Sequence, residues 1–123
     1  MSICIDASIV PKPRMTRADR WKKRPCVLRY WDFADVLRAA AAAQNFELGD
    51  RIKIEFHIAM PKSWSKKKRS EMEGRPHKNK PDLDNCIKSC ADILKKEDKT
   101  IYEITATKSW SREPRIIIWN QWQ

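Results

Sequence analysis

Over residues 51–60 apolar and polar side chains alternate: Ile52, Ile54, Phe56 and Ile58 fall on one side, Lys53, Glu55 and His57 on the other. A period of two marks a strand with one buried face. Such a strand requires neighbours in a sheet and a layer packed on its apolar side. His57, on the polar side, reads as a solvent-facing residue. Three more segments read as strands. Residues 2–10 alternate through Ile3, Ile5 and Ala7. Residues 100–108 place Tyr102, Ile104 and Ala106 on one side, and residues 115–120 run through Ile116, Ile117, Ile118 and Trp119. The turn residues at 110–114 predict that these last two strands pair as a hairpin.

Between the strands the period shifts to three and four. Residues 30–44 predict a helix with Asp32 at its N-cap and an apolar stripe of Phe33, Val36, Leu37, Ala40 and Ala41. The alanine run 39–43 favours helix and allows close approach to a sheet. Residues 63–73 predict a short, highly charged helix that Ser65 can cap. Leu83, Cys86, Ile87, Cys90, Ile93 and Leu94 form one apolar face of a helix beginning at Leu83. The order is strand, helix, strand, basic linker, helix, strand, strand. It predicts an α/β chain of α+β character, one domain over residues 1–123, with a small mixed sheet of about four strands and helices packed on it.

Charge narrows the class of partner. The chain carries 26 Lys and Arg against 16 Asp and Glu, a net of +10. Residues 11–29 hold a net of +7 and residues 61–81 a net of +6, which leaves the remainder at −3. Charge gathered in two connecting segments points to a binding face for a polyanion, nucleic acid before an acidic membrane surface. The candidates for phosphate contact are Lys12, Arg14, Arg17, Arg20, Lys22, Lys23, Arg24, Lys66, Lys67, Lys68, Arg69, Lys78 and Lys80. Trp21 and Tyr30 flank the first basic run and offer rings for unstacked bases. No apolar run has the length of a membrane span, and the first ten residues lack the pattern of a secretory signal, so a cytoplasmic protein is expected. Four cysteines without a Cys-x-x-Cys pair, and two isolated histidines, do not suggest zinc. Cys86 and Cys90 read as buried free thiols.

The chemistry concentrates in Lys80-Pro81-Asp82-Leu83-Asp84-Asn85-Cys86-Ile87-Lys88. Pro81 keeps Lys80 extended, which makes Asp82 the N-cap and sets Asp84 in the first turn, where the helix dipole favours negative charge. Two such carboxylates can hold a hard divalent cation together with substrate phosphate and water. Asp98, with Glu97 beside it, can return from the following turn as a third acid. Lys88 can counter charge growing on an attacked phosphate. The same residues also suit ordinary helix-start chemistry, with Asp84 and Lys88 as a surface pair. A basic nucleic-acid-binding module without catalysis would explain the charge equally well.

These residues, with Asp92, Leu94, Glu97-Asp98 and Ile101, resemble the RusA family of Holliday-junction resolvases. Lys108, Pro114-Arg115 and the opening Pro11-Lys12-Pro13-Arg14 are similar to the family in a weaker way. The resemblance implies a homodimeric endonuclease that nicks four-way DNA junctions symmetrically in recombination and repair, with a phage or prophage setting for many members. It implies magnesium as cofactor, with manganese as a substitute. Asp82, Asp84 and Asp98 are the implied metal-binding carboxylates, Glu97 being the second choice for the third. Lys88 is the implied catalytic lysine and Asn85 an orienting residue. The chain departs from the family in having Glu97-Asp98 where Asp-Asp is common, and in a shorter connection from Leu94 that lacks a glycine. A nuclease for flaps or other branched DNA is the neighbouring alternative.

Overall fold

A computed structural model of the chain describes residues 1–120, apart from the side chain of Arg20. The elements are β1 (Ser2–Ile5), α1 (Pro25–Ala43), β2 (Arg51–Ala59), α2 (Lys66–Met72), α3 (Leu83–Leu94), β3 (Glu103–Ser111) and β4 (Arg115–Asn120), with single 3-10 turns at Arg17–Arg20 and Asp98–Thr100. One mixed sheet has the order β1-β4-β2-β3. β2 and β3 are parallel, and β4 is antiparallel to both β1 and β2.

The alternating strand is the centre of this sheet. Ile52, Ile54 and Phe56 are each 0% exposed. Burying each such side chain stabilises the fold by roughly 1.5–3 kcal/mol. Ile3, Ile5, Ile116 and Ile118 continue the same face, and α1 and α3 cover it through Tyr30, Phe33, Leu37, Cys86, Cys90 and Ile93. His57 is half-buried, its Nε2 lying 3.1 Å from Glu55 Oε1.

The expected hairpin does not form. β2 lies between β3 and β4 and takes a partner on each edge. β2, with one face buried in the core, satisfies its backbone groups on both edges, parallel to β3 and antiparallel to β4. The short connection at residues 112–114 instead crosses the end of β2, where Met60 N donates to Ser111 O at 3.0 Å. Other boundaries move as well. β1 stops at Ile5, and residues 6–16 run on as a loop. β3 begins three residues later than expected, because Asp98–Thr100 is a 3-10 turn. α1 begins at Pro25 instead of residue 30, with Arg24 and not Asp32 as its N-cap. Proline suits a first helical position because its missing N–H would have no partner there. The longer helix shifts the buried face to Val27, Tyr30, Phe33, Ala34, Leu37 and Ala41, leaving Val36 exposed. The cap at Ser65 forms as expected, its Oγ accepting from Lys68 N at 3.2 Å. All four cysteines are free, Cys86 and Cys90 being buried.

Candidate active site

Topology collects the chemistry at one end of the sheet. β1 runs parallel to β2, since β4 opposes both. The loop after β1 leads to α1, and the loop after β2 leads through α2 to α3. Both basic segments therefore leave the carboxyl ends of parallel strands, the edge where α/β sheets bind ligands. The N-termini of α1 and α3 point to the same end.

Asp82 is the N-cap residue of α3 and Asp84 lies in its first turn, as expected. Asp82 makes no capping hydrogen bond through its side chain. Both carboxylates are exposed, and neither accepts a hydrogen bond or joins an ion pair among the described residues. In a chain of net charge +10, two carboxylates two positions apart without a cationic partner among the described residues offer oxygen donors to a cation. With Asn85, Asp82 faces a cleft of about 460 Å³, lined also by Ile9, Pro11, Lys80 and Pro81. The peptide bond between Lys80 and Pro81 is cis.

Asp84 and Lys88 do not pair. Lys88 Nζ approaches Asp92 Oδ2 instead, at 3.8 Å, and the same oxygen accepts from Lys12 Nζ at 3.1 Å. Asp92 thus joins the loop after β1 to the polar face of α3. Ser89, fully buried, adds a second tie: its Oγ donates to Val10 O at 2.6 Å. Lys108, on β3, donates to Asn79 O at 2.8 Å and Pro81 O at 2.6 Å. The Cys86 thiol is pushed up to about 11, mainly by burial; Lys108 pulls it down, while the charges of Asp82 and Asp84 add to the rise.

The basic segments divide into free and committed cations. Arg14, Arg17, Lys22, Lys23, Lys66, Lys67, Lys78 and Lys80 are exposed. Lys68 sits over the Trp64 ring at 4.4 Å, and Arg69 is half-buried. Arg24 is a loop staple: Nε and Nη2 donate to Asp19 at 2.8 and 2.7 Å, and Nη2 also donates to Arg14 O at 2.9 Å. Arg20 is in the 3-10 turn, and its side chain lies outside the description. Trp21 is 69% exposed beside this run, whereas Tyr30 belongs to the core at 7%. Of the two flanking rings, only Trp21 is open to a base.

Asp98 is not brought to Asp82 and Asp84 within the chain. α3 has twelve residues and is about 18 Å long; Asp98 follows its far end. There Lys95 Nζ and Thr100 Oγ1 donate to Asp50 Oδ1 at 2.8 and 2.9 Å, beside the start of β2. Among the described residues, no three His, Cys, Asp or Glu side chains gather to hold a metal ion. The length of α3 lies between the first two acids and the third within one chain. Asp82 and Asp84 by themselves remain a suitable donor pair, because magnesium is commonly held by one or two carboxylates with phosphate and water.

No local pattern assigns a role to Ser89 or His77, and only the family likeness singles out Asp92 and Lys108. A small hydroxyl within an apolar helical face was the visible sign for Ser89. Nothing in the spacing of Lys108 indicates the carbonyls it holds.

Among the described residues, no helix is long and apolar enough to cross a membrane. No curated protein matches the chain. The family described as endodeoxyribonuclease RusA matches residues 9–119, nearly the whole chain, so this protein belongs to the RusA family of endodeoxyribonucleases.

Proposed function

We propose that the chain is a magnesium-dependent endonuclease that resolves four-way DNA junctions by paired, symmetric nicks. The observation that carries this reading is the pair of unpartnered carboxylates, Asp82 and Asp84, at the end of the sheet where both basic loops emerge. Asp82 and Asp84 would hold the ion, which when bound would supply an acidified water for attack on phosphate. The Lys88 ammonium, 62% exposed, balances negative charge that develops on the phosphate. Asn85 orients the phosphate across the cleft. Lys12, Arg14, Arg17, Lys22, Lys23, Lys66, Lys67, Lys78 and Lys80 grip the backbone, and Trp21 packs on a splayed base.

The third carboxylate comes from a second copy of the chain. α3 keeps Asp98 a helix length from its own Asp82, so Asp98, with Glu97 as second choice, joins the site in a twofold dimer. Two equivalent nicks also call for two equivalent sites.

Cleavage of a synthetic four-way junction in magnesium, beside flap and linear duplex DNA, tests the activity. Asp82→Asn and Asp84→Asn should each abolish cleavage and leave junction binding intact. Mixing Asp84→Asn chains with Asp98→Asn chains tests the shared site. A mixed dimer then contains one undamaged site, and cleavage returns. If each chain supplied all its own acids, both sites would be damaged and mixing would restore nothing.

A further inference from the structure

We infer that Lys108 is a positioning residue for Asp82, holding the metal-binding carboxylate in place through the two carbonyls that precede it. This rests on the metal-nuclease reading given above.

Residues 74–77 are tied to the outer edge of β3 by their backbone. Gly74 N donates to Trp110 O at 2.8 Å, Trp110 N to Arg75 O at 2.9 Å, and His77 N to Lys108 O at 3.1 Å. The α3 ladder begins at Cys86 N, which donates to Asp82 O at 3.1 Å. Between these anchors, hydrogen bonds reach residues 78–81 from Lys108 alone, among the described residues. Pro81 has no N–H to offer. An ammonium group carries three donors and no acceptor, so it can gather two carbonyls at once.

The Pro81 carbonyl is the critical contact. It lies in the same rigid peptide plane as the Asp82 N–H. Fixing that oxygen fixes the plane, and with it the Cα of Asp82. Magnesium demands near-ideal octahedral geometry, so a loosened plane weakens the ion's hold.

The reach of Lys108 follows from the sheet. It is in register with Phe56 and so lies on the helix-covered face. A cleft there is lined by His77, Leu83 and Lys108. His77 is 5% exposed, with its ring 4.4 Å from that of Trp110 and its Nδ1 without a hydrogen-bond partner. Burial, and then the charge of Lys108, lowers its pKa. A neutral, packed imidazole places no second positive charge beside the ammonium.

The test uses the full chain with Lys108→Met, which removes the donors, and Lys108→Arg, which keeps them. The readouts are the magnesium concentration for half-maximal junction cleavage, junction binding in EDTA, and amide hydrogen exchange at residues 79–86. Lys108→Met should raise the magnesium requirement at least tenfold and speed exchange near Asp82. Metal-free binding should change less than twofold, and Lys108→Arg should restore most of the loss. An unchanged magnesium requirement, unchanged exchange of the Cys86 amide that donates to Asp82 O, or no rescue by arginine would overturn the inference. If the unaltered chain showed no magnesium-dependent cleavage, the nuclease reading itself would fail. Hydrogen exchange would still decide whether Lys108 holds residues 78–81.

Discussion

Replacing Ser89 by alanine should destabilise the protein by about 1–2 kcal/mol and weaken the site without touching an acidic residue. Ser89 is 0% exposed and its Oγ donates to Val10 O at 2.6 Å. The net value of such a bond is about 0.5–1.5 kcal/mol, and a carbonyl left without a donor adds about 1–3 kcal/mol when fully buried. Val10 is only half-buried, so water can reach it in part and the lower end applies. Unfolding entropy of about 2.1 cal/mol/K per residue then puts the fall in melting temperature at about 4–8 °C. The functional effect follows from the neighbours of Val10: Ile9 and Pro11 line the cleft with Asp82 and Asn85. Urea denaturation measures the stability, and junction cleavage at saturating magnesium measures the site. Ser89→Cys nearly preserves the volume and keeps only a weak donor, so it should fall between alanine and the parent. A loss under about 0.5 kcal/mol for Ser89→Ala, or full stability of Ser89→Cys, would refute the argument.

Junction binding should weaken steeply with salt, and removing Lys66 and Lys67 together should flatten the log–log slope by roughly 0.9 for each lost phosphate contact; an unchanged slope would remove α2 from the interface. Asp19 gives a prediction in acid. Hydrogen bonds from Arg24, and then from Thr16 N, hold its carboxyl well below the usual range. A depressed folded pKa gives stability that is complete above the unfolded value, about 3.9, and is lost as pH falls through the folded one. Asp19→Asn should therefore flatten the stability curve below about pH 4, and parallel curves for the two proteins would contradict this. At pH 8 a thiol reagent should label exposed Cys4 first. Cys86 and Cys90, both buried and both with raised pKa, should react only on unfolding; peptide mass spectrometry reads the order.

The local chemistry was legible because it depends on near neighbours in sequence. The alternation in β2 specified a half-buried strand, Pro81 and Asp82 marked the start of α3, and Ser65 marked the start of α2. The start of α1 was harder to place, since Pro25 allows a helix to begin without requiring it. The hairpin fails to form for a different reason. A short turn between two apolar strands does not reveal that a third strand competes for both of their edges.

The sequence by itself determined the family, the residue types that can bind a metal and DNA, and the elements on which they lie. Each depends on side-chain identity and spacing within a few turns of chain. Only the tertiary structure decided which of these residues meet. Parallel β1 and β2 send both basic loops to the end of the sheet that carries Asp82 and Asp84, and α3 holds Asp98 at the other. Lys108 and Pro81 are 27 positions apart, and that contact exists only because β3 lies beside residues 78–81, a consequence of strand order that no local pattern encodes.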